Sequence, residues 1–145
     1  MTTYAVIDTN VLVSSLITSN PESPTIGIIT AIHKRAITPI YSDYLFSEYK
    51  EILNRSKFSI PENLKDDILS LFVGFGIRFE PTTTKVDMPD PDDAPIFLIT
   101  METRELDSYL VTGNIKHYPP MDYIVTPKRM MEILKETSPN KMEGQ

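Results

Sequence analysis

The feature that most constrains this chain is the order in which short apolar runs and helical patterns alternate. Tyr4 to Ile7, Ile37 to Ser42, Ile77 to Phe79, Ser108 to Thr112 and Asp122 to Thr126 each read as a short strand. The first run, YAVI, shows no polar alternation, as expected of a strand covered on both faces of a parallel sheet. Helical spacing fills the intervals, with no internal repeat and no linker. That pattern predicts one α/β domain with a mostly parallel sheet and helices on both faces, and 145 residues are enough to bury its core.

The predicted helices run over Val11–Ile17, from the Ser23-Pro24 pair to about Lys34, over Asp43 to about Arg55, and from Glu62 to Phe72. A further helix starts at Ala94, with Pro95 in its first turn, and a last one follows Thr126-Pro127. PTTTKVDMPDPDD is irregular by composition. Residues after Thr137 read as a frayed tail, dividing the chain into a domain at 1–137 and a tail at 138–145. Ligands of such sheets bind beyond the carboxyl ends of the strands, the edge where Asp8, Asn10, Ser42, Asp43 and Asn114 fall.

Composition narrows the chemistry at that edge. The chain has no cysteine and two histidines, His33 and His117, so disulfides, thiolate metal sites and the usual zinc sites are excluded. A reducing, cytoplasmic setting is the expectation. No apolar run approaches the roughly 20 residues that span a bilayer. The net charge of −6 argues against broad electrostatic binding of nucleic acid or membrane, but allows a small site whose positive charge is a bound metal.

Carboxylates supply the candidates. Asp8 and Asn10 both suit the N-cap of the first helix, yet two such residues in one turn exceed what a cap requires. Glu48 flanks the apolar stripe of Leu45, Tyr49, Ile52 and Leu53, and is either a border residue reaching to water or a carboxylate held near Asp8. DMPDPDDAP packs Asp87, Asp90, Asp92 and Asp93 just before an apolar helix. A close pair of such charges costs about 4 kcal/mol at an effective dielectric near 20, which solvent relieves in an exposed loop and a divalent cation relieves better. Asp93, next to the helix, is best placed to point inward. In LVTGNIKHYP, Gly113 suits a sharp turn, Asn114 offers an amide and Thr112 a hydroxyl. Oxygen ligands of this kind suit Mg²⁺ or Mn²⁺.

Four stretches in order, VIDTNVLVSSL, SDYLFSEYKEIL, DPDDAPIFL and YLVTGNIKHYP, with IVTPKRMMEIL closing, resemble the PIN-domain nucleases. The likeness is strongest to those that act as toxins in toxin–antitoxin systems. It implies a three-layer α/β/α sandwich with a central, mostly parallel sheet of about five strands. It also implies a ribonuclease whose acids fall at Asp8, Glu48 and Asp93 and whose fourth position, often aspartate, is Asn114. Asp90 and Asp92 are further candidates, while Thr9 and Asn10 fall where the turn orients the first aspartate. The implied cofactor is Mg²⁺ (or Mn²⁺). The implied partners are RNA, a protein antitoxin and a second copy of the chain, with no membrane.

Lys116, His117, Lys128 and Arg129, or Arg55 with Lys57, are candidates for a basic rim that guides RNA; each also reads as solvated surface charge. His117 reads as a solvent-facing turn residue rather than a general base. The loss of one acid at Asn114 leaves open a catalytically weak or inactive domain that binds RNA or protein. Another carboxylate-metal phosphohydrolase on a similar fold is also open.

Overall fold

A computed structural model of the chain describes residues 2–83, 86 and 88–137. The expected tail at 138–145 and Asp87 lie outside the described residues. Five strands, β1 (Thr3–Ile7), β2 (Ile37–Tyr41), β3 (Ile77–Arg78), β4 (Tyr109–Val111) and β5 (Ile124–Val125), form one sheet in the order β3-β2-β1-β4-β5. Every pairing is parallel, with Ala5 beside Pro39 on one side and beside Tyr109 on the other. Successive side chains of a strand point to opposite faces, so complete burial of Ala5, Val6 and Ile7 means that both faces of β1 are covered.

Six helices provide that cover in a three-layer α/β/α sandwich: α1 (Thr9–Ile17), α2 (Pro24–His33), α3 (Asp43–Leu53), α4 (Glu62–Phe75), α5 (Ala94–Glu102) and α6 (Pro127–Thr137). Helix α5 makes the crossing from β3 at one edge back to β4 and packs on β1 and β4, while α2 packs against β2 and α6. Ile28, Ile32, Leu45, Leu53, Phe72 and Ile99 are wholly buried, each worth about 1.5–3 kcal/mol relative to exposure. Among the described residues no helix is long and apolar enough to cross a membrane.

Local chemistry explains the starts and stops. Ser23 accepts a hydrogen bond from the Thr25 amide with Pro24 at the head of α2, and Ser42 accepts one from the Leu45 amide at the head of α3. Helix α4 continues past the expected Phe72 to Phe75 and ends on Gly76. A Cβ on Gly76 would lie 2.5 Å from the Phe72 carbonyl oxygen and 2.7 Å from that of Pro39, so only glycine lets α4 run directly into β3 alongside β2.

Candidate functional site

Asp8 leaves β1, the middle strand of the sheet, at its carboxyl end. Its backbone occupies the N-cap position of α1, yet its side chain makes no capping hydrogen bond. The carboxylate turns sideways instead. Oδ2 accepts hydrogen bonds from the Thr112 hydroxyl at 2.8 Å, the Tyr118 hydroxyl at 3.1 Å and the Asn10 amide at 3.4 Å. With 7 % of its surface exposed, Asp8 is a buried acid anchored on one oxygen by three donors from two separate segments.

The remaining elements bring other acids to this edge. Tyr49 of α3 sends its hydroxyl to the Ile7 carbonyl at 2.6 Å, pinning α3 over the end of β1. Glu48, the neighbour of Tyr49, is thereby placed where the Thr9 hydroxyl donates to its Oε2. Burial pushes the Glu48 carboxyl above its ordinary range; the Thr9 hydrogen bond opposes that rise and the Asp8 charge adds to it. Burial of the Tyr49 hydroxyl, with the Asp8 and Glu48 charges, holds its pKa well up, so it remains a donor.

Asp93 ends a 3₁₀ turn, Pro91–Asp93, and opens α5, with Pro95 in the first turn of that helix. Its Oδ2 is buried and has no hydrogen-bond partner among the described residues. His117 Nδ1 lies 3.4 Å from that oxygen, without hydrogen-bond geometry. Burial raises the Asp93 pKa first, and the Asp8 and Asp90 charges add to the rise, while His117 opposes it. Asp90 accepts from the Asp92 amide at 3.0 Å and caps the 3₁₀ turn, and Asp92 is exposed. Asp90, Asp93 and His117 present ligand atoms within 4.8 Å of one another.

Asn114 sits on the exposed turn after β4, its backbone N–H donating to the Thr112 hydroxyl at 3.0 Å. Asn10 Oδ1 accepts from the Gly113 amide at 3.2 Å, so Asn10 joins this turn to Asp8. The chain bends at Gly113 as expected, without positive φ there or at any other described glycine. His117, expected to face solvent, is half-exposed but lies against Asp93. The expected Lys128–Arg129 rim is reduced, because Arg129 is held by Glu132 and Glu136 of its own helix. Arg55 pairs with Glu51, and Asp43, at the same sheet edge, is held by Arg78 in a two-point pair of 2.6 and 2.7 Å.

Three residues of the edge escaped the sequence reading. Tyr118 is buried, donates to Asp8, and has its pKa pushed far up by burial and by the Asp8 and Asp93 charges. Tyr49 carries a buried hydrogen bond that its place in an apolar stripe does not reveal. Tyr44 is half-exposed and close enough to Glu48, Asp92 and Asp93 for their charges to raise its pKa, after desolvation. The only available signal was a hydroxyl-bearing aromatic where phenylalanine would serve for packing alone.

Two cavities open on opposite ends of the sheet. One, about 310 Å³, is bounded by Thr2, Arg35, Ile37 and Phe75, with no carboxylate among the described residues of its wall. The other, about 370 Å³, has Asp8 and Glu48 in its wall. Buried Asp8, the Asp93 oxygen that has no partner among the described residues, and this second cavity identify the carboxyl edge as the candidate site. Among known proteins, the family model of the PIN domain matches residues 4–116. No curated protein and no solved structure matches the chain.

Proposed function

Since this chain belongs to the PIN-domain family, we propose that it is a Mg²⁺- or Mn²⁺-dependent endoribonuclease that hydrolyses RNA and leaves a 5′-phosphate. PIN domains are in general nucleases acting with divalent metal, which supports a hydrolase. The observation that supports the reading is that Glu48 and Asp93, from two different segments, both feel the charge of Asp8 at the carboxyl end of the central strand. The buried Oδ2 of Asp93, with no hydrogen-bond partner among the described residues, suits a hard cation, and the ligand atoms of Asp90, Asp93 and His117, a group that does not include Asp8 or Glu48, lie within 4.8 Å of one another.

In this reading Asp8, Glu48 and Asp93 hold the ion and Asn114 completes or orients the site, with Asp90, Asp92 and His117 alongside. The bound ion supplies a water nucleophile at neutral pH and charge stabilisation at the leaving oxygen. The chain's own residues supply position. Thr112, Tyr118 and Asn10 fix one oxygen of Asp8, leaving the other for a ligand, and the Thr9 hydroxyl fixes Glu48.

Incubating the purified chain with single-stranded RNA and Mg²⁺ or Mn²⁺, followed by end analysis of the products, tests the proposal. Cleavage that vanishes on chelation and in Asp8→Asn supports it. An Asp8→Asn chain that cleaves at the parent's rate overturns it. The same reading includes a toxin role, a protein antitoxin that covers the acidic edge, and a homodimer. Growth arrest on induction checks the first, relief of that arrest by a co-expressed antitoxin checks the second, and sedimentation of the purified chain checks the third.

A second reading, a catalytically weak domain that binds RNA or protein, is favoured by Asn114, a neutral amide on an exposed turn where an acid is common in the family. Saturable Mn²⁺ binding without RNA cleavage distinguishes it.

A further inference from the structure

The cavity beside Asp8 and Glu48 extends well past the acids. Beyond them its wall is mainly apolar, formed by Val13 and Ile17 of α1, Ile52 of α3 and Phe58 of the following 3₁₀ turn, with Ser14 its polar member. Ile17 is 50 % exposed although it is a large aliphatic side chain. At the Phe58 end the Lys57 ammonium lies 5.1 Å from the centre of the phenyl ring. The groove thus joins two carboxylates to a mainly apolar wall with one aromatic ring, and Lys57, outside the wall itself, lies beside that ring.

We propose that this groove is a nucleobase subsite, which rests on the nuclease reading of the same edge. The base of the nucleotide next to the scissile phosphate lies against Phe58, Ile52 and Ile17, and the following phosphate meets Lys57. A single strand of RNA carries bases with flat stacking faces on a negatively charged backbone, which matches an apolar wall with an aromatic ring and a lysine beside it. Stacking of bases on aromatic side chains, with a cationic contact to the backbone, is the general means by which single strands are held without sequence readout. A cavity of about 370 Å³ is within the range of pockets that enclose small organic ligands. An apolar protein segment would use the wall but leaves the charges at both ends unmatched, so RNA is the better fit.

The test uses two measurements on the full chain in Mg²⁺. Methyl NMR follows Val13, Ile17 and Ile52 during titration with 5′-AMP or 5′-UMP, and with ribose 5-phosphate, which has the phosphate but no base. Steady-state cleavage of single-stranded RNA is measured for Phe58→Ala and Ile17→Ser; the second changes a half-exposed side chain and so spares the fold, and Phe58→Tyr serves as rescue. The subsite predicts methyl shifts with the nucleotides and none with ribose 5-phosphate. It also predicts a rise in KM of about tenfold in Phe58→Ala, restored in Phe58→Tyr.

Parent-like KM in both variants, with methyls that ignore the nucleotides while RNA is still cleaved, overturns the subsite and leaves the nuclease reading standing. Methyls that respond to the nucleotides while no RNA is cleaved keep the subsite and overturn the nuclease. Silence in both measurements overturns both and leaves the groove to a protein segment.

Discussion

The hydroxyl of Thr112 donates to the Asp8 carboxylate at 2.8 Å, joining residues 104 positions apart in the chain. The contact ties the ends of two adjacent parallel strands at the edge where ligands of such sheets bind. Thr112 is also the acceptor for the Asn114 amide, so one buried hydroxyl orders both the acid and the turn beside it. Thr112→Val keeps the shape and removes both bonds. Metal-dependent cleavage should fall by about 10- to 100-fold, the usual loss when a group orienting a metal ligand is removed. Cleavage kinetics, with circular dichroism to confirm the fold, check it.

Tyr49 anchors α3 to β1 through its hydrogen bond to the Ile7 carbonyl. Tyr49→Phe preserves the ring's edge-on packing on Phe72 at 5.2 Å and leaves a buried carbonyl without this donor. The expected loss is about 1–3 kcal/mol of stability. Urea denaturation should show a lower midpoint with an unchanged slope.

Glu48 and Asp93 both have carboxyl pKa values raised by burial, with the Asp8 charge adding to the rise. An acid whose folded pKa exceeds its unfolded one stabilises the fold when protonated. That contribution is complete below the unfolded pKa and is lost as pH rises through the folded one. Without metal, the chain should therefore lose stability as pH climbs through and just above the ordinary carboxylate range. Mn²⁺ favours the ionised forms, so its stabilising effect should grow over the same interval. Thermal melts across pH with and without Mn²⁺ measure both slopes. Glu48→Gln should flatten the metal-free slope and reduce the Mn²⁺ effect.

Asp43 shares the carboxyl edge but is committed to Arg78, whose hydrogen bonds, and then its charge, hold its carboxyl below its ordinary range. Asp43→Asn should leave metal-dependent cleavage within about twofold of the parent, since surface pairs of this kind contribute little. A large loss would move Asp43 into the site.

The layout of the sheet was legible because it depends on patterns each segment carries alone: unbroken apolar runs, helical spacing, and proline and glycine at the joins. Asp8, Glu48 and Asp93 stood out as candidates because charge beside an apolar run is conspicuous. What escaped depends on contacts between distant segments. Nothing near Tyr118 announces that its hydroxyl reaches Asp8, and nothing in NIKHYP couples His117 to an aspartate 24 positions earlier, at 3.4 Å. The apolar groove was hidden for the same reason, since Ile17, Ile52 and Phe58 read separately as ordinary hydrophobic residues.

Asp8 is mounted on the central strand, with neighbours hydrogen-bonded on both sides, whereas Asp93 rides on a three-residue turn. Under the metal role proposed for Asp8 and Asp93, exchanging residues in Pro91–Asp93 is expected to shift the preference between Mg²⁺ and Mn²⁺ while the strand that leads into Asp8 stays as it is.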